Sequence, residues 1–188
     1  MTHKILIAGF GGQGVMLMGE LLSYAAFLQE KNPLLLPEYG GEQRGGTSNC
    51  SVIISDDMIG SPSVKSYDTV VLMNTPSYVK FSTSIKNTGT ILTNYPLVNV
   101  EECPNYAAKI LKIPADRIAD EMHAKRISNM IMLGALAAIS NCVDKKFVQD
   151  AITVKLGQKK PELLAANLEA LDKGYELSIN LNLKEKDF

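Results

Sequence analysis

Tryptophan is absent from this 188-residue chain, and the side chains that most often carry chemistry are scarce: two histidines, His3 and His123, and three cysteines, Cys50, Cys103 and Cys142. An odd number of widely spaced cysteines excludes a disulfide framework. It also leaves no pair of neighbouring thiolates for zinc or an iron–sulfur cluster. The cysteines therefore read as isolated packed or surface thiols. Neither histidine sits in a ligand pattern, and His123 reads as a polar residue at a helix boundary. There is no G-x-S-x-G elbow and no G-K-[ST] loop, so any self-contained acid–base catalysis would have to rest on carboxylates or lysines. Charge of one sign is lacking too: 19 basic and 20 acidic residues give a net charge of −1. That balance supplies no general pull toward nucleic acid or an acidic membrane surface. No run reaches the ~18 consecutive apolar residues that span a bilayer. Met1–Lys4 leads straight into a strand-like run without a signal-peptide pattern, and the expected location is the cytoplasm.

What is present is a core. Apolar residues make up 46% of the chain, enough for one sizeable domain over 1–188. Strand-like runs are Lys4–Ala8, Leu34–Pro37, Asn49–Ser55, Asp68–Met73 and Thr90–Thr93, the last introduced by a turn at Asn87–Gly89. Asp57–Pro62 reads as a turn or a short strand pair. The spacing of apolar residues predicts helices from Val15 to Glu30, after Asn74-Thr75-Pro76, within Pro104–Leu111, from Ile113-Pro114-Ala115-Asp116 to Met122, and over Ser128–Ile139, Asp144–Lys155 and Glu162–Leu177. Strands alternating with helices in the first half predict an α/β fold: a three-layer α/β/α domain with a mostly parallel, Rossmann-like sheet and extra C-terminal helices.

Two glycine-rich segments carry the chemical signal. Gly9-Phe10-Gly11-Gly12-Gln13-Gly14 lies between a strand and a helix and fits G-x-G-x-x-G in its required context. Glycines there permit a tight turn and close backbone approach, and the free N–H groups at the helix start face an anion, usually a phosphate. Glu38 follows the next strand, 24 residues past Gly14, near the ~20-residue spacing at which an acid meets the ribose of NAD. This leaves an NAD-dependent oxidoreductase, or a non-catalytic nucleotide-binding module, as alternatives. Against the first, the chain has no room for a separate substrate domain, and Glu38 runs into the second glycine-rich segment.

That segment is Tyr39-Gly40-Gly41-Glu42-Gln43-Arg44-Gly45-Gly46-Thr47-Ser48. Its glycines expose backbone N–H groups, Arg44 adds a fork of donors suited to phosphate or carboxylate, and Thr47 and Ser48 add hydroxyls. If both segments meet at the carboxyl ends of the strands, they form one cleft with two anion-binding lips. Asn74 and Thr75 belong to the same edge, as ligand donors or as a helix cap. Asn129-Met130-Ile131-Met132-Leu133-Gly134-Ala135 reads mainly as packing. Gly134 costs ~1 kcal/mol relative to alanine inside a helix, which close packing can offset, and the apolar surplus of this helix offers a contact for another subunit.

G-F-G-G-Q-G-V at Gly9–Val15, Y-G-G-E-Q-R-G-G at Tyr39–Gly46 and N-x-x-x-L-G-A at Asn129–Ala135 resemble, in order and spacing, the γ subunit of 2-oxoacid:ferredoxin oxidoreductases. The step Ile113-Pro114-Ala115 is also similar, whereas Gly41 stands where that family more often has proline. The resemblance implies oxidative decarboxylation of a 2-oxoacid, 2-oxoglutarate first among the candidates. Coenzyme A takes the acyl group as co-substrate, and ferredoxin takes the electrons through the complex. It implies thiamine diphosphate and iron–sulfur clusters on partner subunits, α and β with an optional δ, and a chain that is inactive alone. It also implies ligand contacts at Gly11, Gly12, Gln13, Gly14, Arg44, Gly45, Gly46 and Thr47. From the scarce motifs, balanced charge and short apolar runs, no catalytic residue and no metal site are expected on this chain, and neither nucleic acid nor membrane as a partner.

Overall fold

The computed structural model describes residues 1–39, 47–101, 108–124, 126–157 and 161–184. These residues form six strands: β1 (Thr2–Phe10), β2 (Asn32–Tyr39), β3 (Thr47–Ser55), β4 (Tyr67–Leu72), β5 (Ile85–Asn94) and β6 (Lys109–Ile113). Among the described residues six α-helices accompany them: α1 (Val15–Leu28), α2 (Thr75–Phe81), α3 (Ala115–Glu121), α4 (Ser128–Ser140), α5 (Lys145–Gly157) and α6 (Pro161–Lys184). The sheet order is β2-β3-β1-β4-β5-β6. Strands β1, β4, β5 and β6 run parallel, while β3 is antiparallel to both β1 and β2. The sheet is thus mixed, with a parallel half and an antiparallel half meeting at β1. Pro33 and Pro37 lie on β2, the edge position where a strand tolerates residues that cannot donate to a ladder.

Alternation along β1 sorts the core into two layers. Ile5 and Ile7 face a large cluster with α1, α3, α4, α5 and α6, whereas Leu6 and Ala8 face a smaller one with Tyr78 of α2. Strands covered on both faces read as continuous apolar runs, which is why the sequence of β1 and β4 shows no alternation.

Helix α4 is buried along almost its whole length, so its apolar surplus is consumed inside the domain instead of meeting another subunit. The cover is α6. A Cβ at Gly134 would collide with the carbonyl of Leu171, and one at Gly174 with the carbonyl of Ile131, so the two backbones touch through paired glycines.

Three local expectations need correction. Asn87–Gly89 is not a turn but part of β5, where the ladder to β4 shifts register between Tyr67 and Thr69. Gly89 is required there because a Cβ would come within 2.8 Å of the Asp68 carbonyl. The helix expected within Pro104–Leu111 is replaced at its described end by β6: parallel pairing with β5 (Ile91 with Ile110, Leu92 with Leu111) overrides a weak local preference. Asp57–Pro62 forms no strand.

Candidate functional site

The parallel strands deliver their ends to one edge of the sheet, and the first glycine segment lies there between β1 and α1. Gln13 donates its backbone N–H to the carbonyl of Phe10 at 3.1 Å, closing a four-residue turn. Gly12 has φ +98°, the left-handed value that glycine adopts without strain at the third position of such a turn. Gly11 and Gly12 are exposed, and a Cβ built on either would meet nothing within 4 Å. These glycines therefore face open space.

Gly14 is different. Its φ is +78°, it caps α1 with no side chain, and a Cβ there would run into the amide of Asn129 on α4. The first intrahelical bond is Met18 N–H to the Gly14 carbonyl, 3.0 Å, so the N–H groups of the first turn point outward without partners in the helix. No acidic residue lies in that turn, and the positive end of the helix dipole is not neutralised. Asn129 is 6% exposed as a residue and its side chain makes no hydrogen bond among the described residues, so its carboxamide is an unused polar group beside an uncapped helix start. It sits 115 positions from Gly14 in the sequence (129 − 14). The sequence marked the motif around Asn129 but gave no sign that its amide would reach the first loop.

The carboxamide of Gln13 is turned inward. Its Oε1 accepts from Phe10 N–H at 2.7 Å and from Asn74 Nδ2 at 2.9 Å, and its Nε2 donates to the carbonyl of Met73 at 3.1 Å. Asn74, 5% exposed, caps α2 by accepting from Ser77 N–H at 2.9 Å. Thr75 donates to the Leu97 carbonyl and accepts from Asn99 N–H. Asn74 and Thr75 are thus at the expected edge, and capping and loop anchoring absorb their polar atoms.

Arg44, Gly45 and Gly46 lie outside the described residues, but the two ends of their segment do not. Thr47 pairs with Phe10, and Ser48 with both Gly9 and Tyr39. The second segment therefore leaves the sheet two strands away from the first and re-enters it beside the first.

This topology weakens the NAD reading. In the dinucleotide fold the strand carrying the ribose-binding acid is the direct neighbour of β1. Here β3 lies between β1 and β2, so exposed Glu38, paired with Asn49 across from Ala8, is two strand spacings from β1, about 9–10 Å.

The opposite end of the sheet holds the perturbed titratable groups. Burial pushes the His3 imidazole below its usual value against the pull of Asp68, and Nε2 lies 3.0 Å from Thr69 Oγ1. Burial alone would raise the Asp68 carboxyl. Hydrogen bonds from Lys86 and from Lys4 N–H, with the charges of His3 and Lys86, outweigh that and hold it low. Beneath α1, burial, with the charge of Glu20 adding to it, pushes the Cys50 thiol up to about 12. Among the described residues, no group of three His, Cys, Asp or Glu could hold a metal ion and no helix is long and apolar enough to cross a membrane.

Known proteins share both the sequence and this architecture. A family described as pyruvate ferredoxin/flavodoxin oxidoreductase matches residues 4–177. The 2-oxoglutarate synthase subunit KorC of Methanocaldococcus jannaschii is 37% identical over 183 residues, 96% of each chain. The ketoisovalerate oxidoreductase subunit VorA of Methanothermobacter marburgensis is 36% identical over 174 residues, 92% of this chain but only 36% of that one. Among solved structures, the 2-oxoglutarate:ferredoxin oxidoreductase of Magnetococcus marinus, with 2-oxoglutarate, coenzyme A and succinyl-CoA bound, superposes with a TM-score of 0.87 at 27% identity. The match covers 95% of this chain and 31% of that one.

Proposed function

The chain belongs to the pyruvate ferredoxin/flavodoxin oxidoreductase family, and from that premise we propose that it is the γ-type subunit of a 2-oxoacid:ferredoxin oxidoreductase acting on 2-oxoglutarate. The complex oxidatively decarboxylates the 2-oxoacid, transfers the acyl group to coenzyme A, releases carbon dioxide and passes the electrons to ferredoxin. Partner subunits, α and β with an optional δ, hold thiamine diphosphate and the iron–sulfur clusters.

The role of this subunit is to hold the phosphates of coenzyme A. The observation that carries it is the open space over Gly11 and Gly12 at the uncapped start of α1, with the unused amide of Asn129 against Gly14. Backbone N–H groups and an un-neutralised helix end attract a phosphate. Asn129 supplies a further donor, and Arg44, Gly45, Gly46 and Thr47 supply the facing lip. A relative that is itself a 2-oxoglutarate synthase subunit along nearly its whole length supports the choice of 2-oxoacid. VorA and the Magnetococcus enzyme, in which the matching segment is about a third of a longer chain, support a life in close association with other domains.

The test is assembly followed by kinetics. Mixed with candidate α and β subunits, the chain should elute in a larger species, and only that species should reduce a dye with 2-oxoglutarate and coenzyme A. In the complex, Arg44→Ala should raise the coenzyme A KM about ten- to a hundredfold, the worth of a charge-assisted hydrogen bond of roughly 1.5–3 kcal/mol. An unchanged KM in a correctly assembled variant removes Arg44 from the site, and saturable NAD binding by the free chain overturns the reading.

A further inference from the structure

We infer that Gln13 and Asn74 form a pair of positioning residues that hold the first glycine loop in its ligand-accepting shape. This rests on the reading of that loop as a coenzyme A phosphate site. Both acceptor positions of Gln13 Oε1 are filled, by Phe10 N–H and Asn74 Nδ2. The loop is closed twice, since Gln13 N–H also bonds the Phe10 carbonyl. Only Gly11 and Gly12 at the apex are left free, and their peptide planes take their direction from this double closure. The third bond, Nε2 to the Met73 carbonyl, and the Asn74 amide tie the loop to the turn between β4 and α2. Gly9 must lack a side chain to admit the carboxamide, because a Cβ there would lie 2.8 Å from Gln13 Oε1. Gln13 is therefore committed to orienting the loop, not to touching the ligand. The relay needs both halves of each amide: an acceptor at one atom and a donor at the other.

Two nearly isosteric variants break one bond each. Gln13→Glu keeps the acceptor but, when ionised, cannot donate to Met73. Asn74→Asp keeps the α2 cap but cannot donate to Gln13. In the assembled complex, Gln13→Glu should raise the coenzyme A KM about tenfold at neutral pH, and Asn74→Asp about three- to tenfold, the range of one net hydrogen bond. The 2-oxoacid KM and the size of the complex should not change. A protonated carboxyl restores the donor, so the Gln13→Glu defect should shrink as pH falls, while the wild-type KM shows no such recovery. If Gln13→Glu fails to assemble, Asn74→Asp carries the test. Normal coenzyme A KM values in both variants overturn the inference. If Arg44→Ala is still defective, the phosphate site survives; if it too is normal, the site reading falls as well. Equal losses for both substrates with a lowered melting temperature and no recovery in acid would mean a purely structural role and would also overturn it.

Discussion

Two sets of glycines in this molecule serve opposite ends. At the crossing of α4 and α6, Gly134 and Gly174 are glycines because another backbone occupies the place of the side chain. At the apex of the first loop, Gly11 and Gly12 are glycines although nothing occupies that place. The first pair is explained by what the domain already contains. The second has no partner inside the domain: Gly12 is held to glycine by its φ of +98°, whereas Gly11 has neither a contact nor a left-handed φ, and its freedom becomes intelligible if a ligand comes close to the backbone. Unfilled space over unpaired N–H groups, not glycine content, marks the functional region.

The comparison can be broken by substitution. Gly134→Ala should have the largest effect, because overpacking against the Leu171 carbonyl forces two helices apart. A loss of about 3 kcal/mol is expected in chemical denaturation, near the upper range for overpacked cores. A loss under about 1 kcal/mol would show that the crossing is looser than its geometry. Gly11→Ala should do the reverse. With no contact to lose and no left-handed φ to strain, stability should stay within about 0.5 kcal/mol of wild type. The coenzyme A KM in the complex should still rise several-fold, because the methyl group occupies ligand space. A stability loss with normal kinetics would put Gly11 in the packing class.

The smallest effect concerns the far end of the sheet. The His3 pKa is lowered on folding from 6.5, so the unfolded chain binds the proton more readily. Stability should fall as pH drops through 6.5 and level off below the folded value. Asp68, lowered from 3.8, should add a second fall as pH drops below 3.8. The melting temperature followed from pH 8 to 3 should show both declines. His3→Gln should remove only the first, and coenzyme A binding should not follow either residue.

Much of this was legible beforehand, for stated reasons. The strand–glycine–helix unit and the buried runs of β1 and β4 are local patterns, and they formed within a few residues of their expected limits. The insertion of β3 between β1 and β2 was not legible, because strand order depends on pairing partners distant in sequence. Strand β6 was missed because five residues, Lys109–Ile113, carry little periodicity and owe their conformation to β5. In the site, Gly11, Gly12 and Gly14 stood in a recognisable motif. The inward turn of Gln13 could not be seen, since its partners Met73 and Asn74 lie 60 and 61 residues away.

Hydrogen exchange of the assembled complex with and without coenzyme A tests the central claim most directly. Apart from Gln13, whose N–H already bonds the Phe10 carbonyl, the N–H groups of Gly11–Leu17 lack helical partners at the start of α1, so phosphate binding there should slow their exchange, whereas NAD should leave it unchanged. Unaltered exchange across Gly11–Leu17 at saturating coenzyme A, in a complex that is turning over, would contradict the account.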